Sequence, residues 1–245
     1  MKKIIILFFC LGIMHILQAN DIRMMTENYP PYNMEIDGEL QGFSVDVLDA
    51  MLKQMNSKQK REDIELLPWS ESYSLAMNIK NNMVFSTTRT KSRENLFKWV
   101  GPIYKTTVGV TALKSKNIVI KKISDLNKYK IGAMKKDIGE TLLLEKGVSK
   151  SSIYTIDGIN SLATSFYYME KGKIDLLAYE TKVAFYSIDL NGYEVDDYEV
   201  VYTLENNELY FAFNKQTSDL TIQKWQKALD EIKSNGIYNK IIKNY

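Results

Sequence analysis

From Ile22 to the C-terminus the apolar residues switch repeatedly between a two-residue and a 3.6-residue period, in two successive series. The first series predicts a strand over 22–25 and then a turn over 27–32, where Pro30-Pro31 forbids helix or central strand. Asp37-Gly38 signals a hairpin. Val45, Val47, Leu48, Met51, Leu52 and Met55 recur at helical spacing, with Ser44 or Asp46 available as N-cap. A strand over 64–67, a helix over 73–79 and a strand over 83–85 follow, the last leading into Ser86-Thr87-Thr88-Arg89-Thr90-Lys91-Ser92-Arg93.

The second series begins at Thr107, where Val108, Val110 and Ala112 alternate as a strand. A short helix opening at Ile123, a strand over 130–133, helices over 139–144 and 161–171, and a buried strand over 174–178 running into Tyr179-Glu180 come next. A strand over 209–213 precedes a long helix over 219–233, with Leu220, Ile222, Trp225, Ala228, Leu229 and Ile232 on its inner side. Asn235-Gly236 closes that helix, and a last helix covers 238–245. Alternating β and α elements of this length indicate open α/β sheets. With no low-complexity linker, repeat or charge block between the series, they read as two lobes joined by short strands.

Ahead of both series, residues 1–19 carry Lys2 and Lys3, an apolar run over 4–16 and Ala19 at a cut site, the pattern of a secretory signal peptide. Phe9, beside Cys10, stands where a lipoprotein signal needs a small residue, so no lipidation is expected. Cleavage after Ala19 would remove the chain's one cysteine, Cys10, and its one histidine, His15. It would also leave 30 Lys+Arg against 30 Asp+Glu. Such a mature chain has no Cys/His zinc site, no cysteine nucleophile, no Ser-His-Asp triad and no excess charge to attract nucleic acid. No metal and no cofactor is expected.

Five local patterns then carry a resemblance. In order they are Tyr29-Pro30-Pro31-Tyr32; Gly42-Phe43-Ser44-Val45-Asp46-Val47; Thr90-Lys91-Ser92-Arg93 with Pro102-Ile103-Tyr104 beyond it; Gly172-Lys173-Ile174-Asp175 to Glu180; and Asn235-Gly236-Ile237-Tyr238. The chain resembles the bacterial extracellular solute-binding proteins of family 3, the polar amino-acid binding components of ABC importers, over nearly all of the mature sequence. The resemblance implies an α/β, two-lobed periplasmic-binding-protein-like fold (type II). Lobe I would take residues 20–102 plus 210–245, lobe II 108–204, and the hinge 103–107 and 205–209. Small solutes would bind between the lobes, and closure would bury them.

The resemblance also implies site residues. A zwitterion leaving water needs a partner at each charged end. Arg93 occupies the family's carboxylate-binding position, where a guanidinium fork can make two parallel hydrogen bonds. Ser86 and Thr88 share a strand face by alternation and match the family's hydroxyl and backbone contacts. Glu180 stands where the family has an ammonium-binding aspartate, one methylene longer. Tyr29 and Trp69 match aromatic walls, although core packing is the alternative for Trp69. Arg89 reads as a surface or inter-lobe ion pair, with a second anionic group on the solute as the minority alternative. Trp99 reads as core or hinge packing, and Asp175 as structural.

Two departures stand out. Where the family carries a Gly-Thr pair opening a helix whose backbone N–H groups receive the ligand carboxylate, this chain has Lys136-Asp137, followed by Ile138. Asp137 would repel a carboxylate unless Lys135 or Lys136 neutralises it, and it could receive a cation instead. Thr26 stands where binders of basic amino acids have an acid. The expected function is therefore a periplasmic, monomeric binding protein. It captures a small zwitterionic, amino-acid-like solute and delivers it to an ABC-transporter permease in the inner membrane, with no catalytic residue. The alternatives are a cyclohexadienyl-dehydratase-like enzyme using Glu180 as general acid and a ligand-sensing partner of a membrane receptor.

Overall fold

The computed structural model describes residues 21–245. The expected signal peptide lies outside the described residues. In chain order the regular elements begin with β1 (Arg23–Thr26), the hairpin β2 (Met34–Ile36) and β3 (Glu39–Gln41), α1 (Phe43–Gln54), β4 (Ile64–Leu66), α2 (Trp69–Asn78) and β5 (Asn82–Thr88). The long strand β6 (Phe97–Leu113) leads to β7 (Ile131–Met134), α3 (Ile138–Glu145), β8 (Ile153–Ile156), α4 (Ser161–Glu170), β9 (Leu176–Glu180) and α5 (Thr181–Leu190). A second long strand, β10 (Tyr198–Asn214), returns to α6 (Asp219–Ser234) and α7 (Ile237–Ile242). Among the described residues no helix is long and apolar enough to cross a membrane.

Eight strands form one sheet in the order β4-β1-β5-β10-β6-β9-β7-β8. On one side β1 pairs in parallel with β4 and β5; on the other β7 pairs in parallel with β8 and β9. Between them β6 and β10 run antiparallel, paired from Phe97 with Asn214 to Leu113 with Tyr198. Near one end of this ribbon β10 pairs with β5, and near the other β6 pairs with β9. The result is a two-lobed α/β fold, with each parallel set and its helices forming one lobe. The connection differs from the expected short strands: it is one ribbon of two 17-residue strands. Its middle carries Thr106, Thr107, Asn206 and Asn207, polar residues with no apolar alternation, so the pattern of hydrophobicity could not reveal that the ladder continues.

Local chemistry explains the other shifts. The α1 helix starts at Phe43, ahead of the proposed caps, because its first amides are satisfied from outside: the Pro31 and Tyr32 carbonyls accept from Phe43 N (3.1 Å) and Ser44 N (2.8 Å). That approach requires Gly42, whose φ is +118° and where a Cβ would lie 2.5 Å from the Tyr32 oxygen. The α2 helix begins at Trp69, earlier than the expected 73, with the Pro68 carbonyl accepting from Glu71 and Ser72. Neither β8 nor α5 was signalled by periodicity. In α6, Trp225, Ala228, Leu229 and Ile232 are buried as expected, but Leu220 is 78% exposed in the first turn. The Asp37-Gly38 hairpin and the left-handed Gly236 are both present. The largest apolar core crosses the molecule, taking Phe85 and Tyr29 from one side and Tyr179 and Phe166 from the other, so the two lobes are packed against each other.

Candidate functional site

The carboxyl ends of the parallel strands converge where the lobes meet, the usual place for ligands in open α/β sheets. There β1 delivers Glu27, β5 leads into the turn carrying Arg93, β7 delivers Lys136 and Asp137, and β9 ends in Tyr179 and Glu180.

Arg93 is 3% exposed. Its Nη1 donates to the Thr88 carbonyl (3.2 Å), and its Nη2 donates to the Lys136 carbonyl (2.7 Å) and the Thr141 hydroxyl (3.4 Å). The guanidinium carbon lies 5.6 Å from the Trp69 ring centroid and 5.2 Å from that of Tyr73, within cation–π range. Lys136 reaches this position with φ at +61°, a conformation that suits glycine better than lysine.

Asp137 is the N-cap of α3, its carboxylate accepting a long 3.5 Å hydrogen bond from Gly139 N. Burial raises its pKa, and the Arg93 charge opposes that rise. Glu27 lies in the same cluster: burial pushes its carboxyl well above the usual carboxylate range, Asp137 pushes the same way, and Arg93 pulls it down. Its backbone carbonyl accepts from Asn33 Nδ2 (2.5 Å), and the Ser86 hydroxyl donates to Asn33 Oδ1. Asn33 thereby ties the end of β1 to the end of β5. Glu27, Trp69 and Tyr179 line a small cavity of about 150 Å³. Trp69 Nε1 is buried without a hydrogen-bond acceptor.

Glu180 is engaged differently. One oxygen accepts from Val183 N (2.7 Å), capping α5, and the other accepts from Thr107 N (3.4 Å). Burial raises its pKa, while the Val183, Thr107 and Lys182 backbone donors lower it. It faces a larger cavity of about 880 Å³ beside the central ribbon, shared with Tyr32, Tyr104, Asn206 and Lys182. Tyr29, 2% exposed, packs on Tyr32 and edge-on to Tyr179, with ring centroids 5.7 and 5.5 Å away. Burial holds its hydroxyl pKa well above the usual value, and Glu180, Asp137 and Glu27 add to that rise.

The structure thus brings Arg93, Asp137, Trp69, Thr88 and Tyr29 to one inter-lobe region, with several changes of part. Thr88 reaches Arg93 through its carbonyl. Ser86 sits at φ +57°, at an irregularity in the β5–β10 register that breaks the simple alternation with Thr88, and spends its hydroxyl on Asn33. The Ile138 side chain belongs to the core of the second lobe rather than to the cleft. Neither lysine neutralises Asp137: Lys135 pairs with Asp157 (2.7 Å) and Lys136 Nζ donates to Ser74 (2.7 Å). Arg89 forms a surface pair with Glu94, Trp99 packs on Phe97 and Tyr210, and Asp175 accepts from Lys130 N (2.9 Å). Sequence reasoning missed Glu27, Asn33, Tyr73 and Tyr179. Glu27 had a readable signal, since it directly follows Thr26 at the end of the first strand, where the acid was sought.

The sequence profile described as "Bacterial extracellular solute-binding proteins, family 3" matches residues 22–245. A relative named as a probable histidine-binding protein, of Campylobacter jejuni subsp. jejuni serotype O:2, is 24% identical over 228 residues, covering 89% of this chain and 81% of that protein. The fold is similar to that of an ancestral arginine-binding protein bound to arginine, with a TM-score of 0.76, 23% identity, and 92% of this chain and 97% of the other covered. It is also similar to an ABC uptake transporter substrate-binding protein from Streptococcus pneumoniae with bound histidine, with a TM-score of 0.77, 16% identity, and 93% of each chain covered.

Proposed function

The chain belongs to the bacterial extracellular solute-binding proteins of family 3, and from that membership we propose that it is a periplasmic receptor that closes its two lobes over one amino-acid-like or amine solute and hands it to an ABC-importer permease. The proposed division is lobe I over 20–102 plus 210–245 and lobe II over 108–204, hinged at 103–107 and 205–209. Names of the relatives, one histidine-binding and one arginine-binding, favour a nitrogen-rich solute.

One observation carries the reading: a buried guanidinium, Arg93, in one lobe hydrogen-bonds the Lys136 backbone of the other, and its charge bears on the carboxyls of Glu27 and Asp137. Charged groups are costly to bury, and their concentration between two lobes supports a polar solute site rather than a packing interface. The binding role needs no chemistry from the protein. Glu180, the residue an enzyme reading would use as an acid, accepts hydrogen bonds from two backbone amides.

A thermal-shift screen over amino acids, amines and small peptides tests the proposal. A solute present at a hundred times its Kd stabilises by about 2.7 kcal/mol. Small-angle scattering should show a smaller radius of gyration with that solute than without it. Absence of a shift with every solute would overturn the proposal.

A further inference from the structure

We infer that the solute is a cationic amine without a carboxylate, its positive group held by Glu27, while Arg93 is committed to the protein itself. This rests on the reading above that the inter-lobe cleft captures a solute.

The anion seat of the cleft is already filled. A guanidinium next to the N-terminus of an eight-residue helix would suit a carboxylate, but here the carboxylate belongs to the chain. Asp137 caps α3, and its negative charge bears on the Arg93 guanidinium. The Arg93 nitrogens donate to Thr88, Lys136 and Thr141, and the residue is 3% exposed. A second carboxylate brought in by a solute would have to displace these bonds and stand beside Asp137.

The small cavity beside Glu27 has no lysine or arginine in its lining. Asp137 has the positive charge of Arg93 bearing on it, which leaves the half-buried Glu27, on the wall of the small cavity, as the acid open to a solute cation. Among the described residues no side-chain hydrogen bond or ion pair engages the Glu27 carboxylate. The other groups facing it electrostatically are Tyr29 and Tyr179, which are neutral. The cavity beside Glu27 is walled by the Trp69 and Tyr179 rings, surfaces that attract an ammonium, amidinium or imidazolium group. Trp69 Nε1 is left with a donor to offer, which a solute carrying a lone-pair nitrogen as well as its cation would meet.

Calorimetry with three matched pairs tests this: histamine against histidine, agmatine against arginine, and cadaverine against lysine. The members of each pair differ only by the carboxylate. At least one amine is expected to bind tenfold or more tighter than its parent amino acid. Glu27→Gln should weaken that amine at least tenfold, and Glu27→Asp, which keeps the charge with shorter reach, should weaken it less. Tighter binding of the amino acid in every pair that binds would overturn the inference and leave the solute-receptor reading standing. Silence from all six compounds would also overturn it, and the wider solute screen would then decide the receptor reading on its own. Unchanged amine affinity in folded Glu27→Gln would remove Glu27 from the site.

Discussion

Arg93 Nη2 donates a 2.7 Å hydrogen bond to the carbonyl oxygen of Lys136, 43 residues away and in the other lobe. One side chain therefore links the strand end of β5 to the loop that caps α3, and it does so through backbone oxygens as well as through the charge of Asp137.

Arg93→Ala should accordingly cost stability as well as function. It removes the guanidinium hydrogen bonds to Thr88, Lys136 and Thr141 and the positive charge that bears on Asp137, itself 4% exposed, a loss of about 3 kcal/mol. Arg93→Lys should not rescue it, since a single ammonium cannot reproduce the planar fork that reaches Thr88 and Lys136 together. Urea denaturation of the three proteins measures the difference.

Glu27, Asp137 and Glu180 all have raised pKa values in the folded state. A raised carboxyl pKa means the folded protein holds its proton more tightly than the unfolded chain. The stability this adds is full below the unfolded value, about 4.3 for a glutamate, and is lost as pH rises through the folded values. The solute-free protein should thus gain stability from these groups between pH 8 and pH 5. Glu27→Gln should raise the Tm at pH 8 and make the profile flatter. Scanning calorimetry across that range checks it, and a lower Tm for the variant at pH 8 would contradict the sign.

Glu180 caps α5 through one oxygen at 2.7 Å and accepts a longer 3.4 Å bond from Thr107 N through the other, so a glutamine keeps the cap and loses only the long bond. Glu180→Gln should keep solute affinity within about threefold, under about 0.7 kcal/mol. Glu180→Ala should lose on the order of 1 kcal/mol of stability with the cap. A hundredfold loss of affinity in the Gln variant would restore the ammonium-binding role that the sequence suggests.

Gly139 offers a prediction of packing alone. A Cβ at this position would meet the Ala178 carbonyl oxygen at 2.1 Å, with helix α3 pressed onto β9. Because the obstacle is backbone, Gly139→Ala should destabilise by about 1 to 3 kcal/mol despite the better helix propensity of alanine. Chemical denaturation reads this directly.

The sequence by itself determined the two α/β series, the hairpin at Asp37-Gly38 and the inner face of α6 from Trp225 to Ile232. Each rests on a period, a turn chemistry or a local pattern that neighbours along the chain enforce. Tertiary structure alone decided that the connecting segments form one continuous ribbon, because backbone pairing through Thr106 and Asn207 needs no apolar side chains. It also decided that Glu180 serves α5, that Lys135 and Lys136 turn to Asp157 and Ser74, and that Glu27 shares a cavity wall with Trp69 and Tyr179. Charge composition counts acids and bases but does not say which will meet. That is set by which strand ends the sheet order brings side by side, and by which carboxylates find a backbone amide or a guanidinium within hydrogen-bond reach.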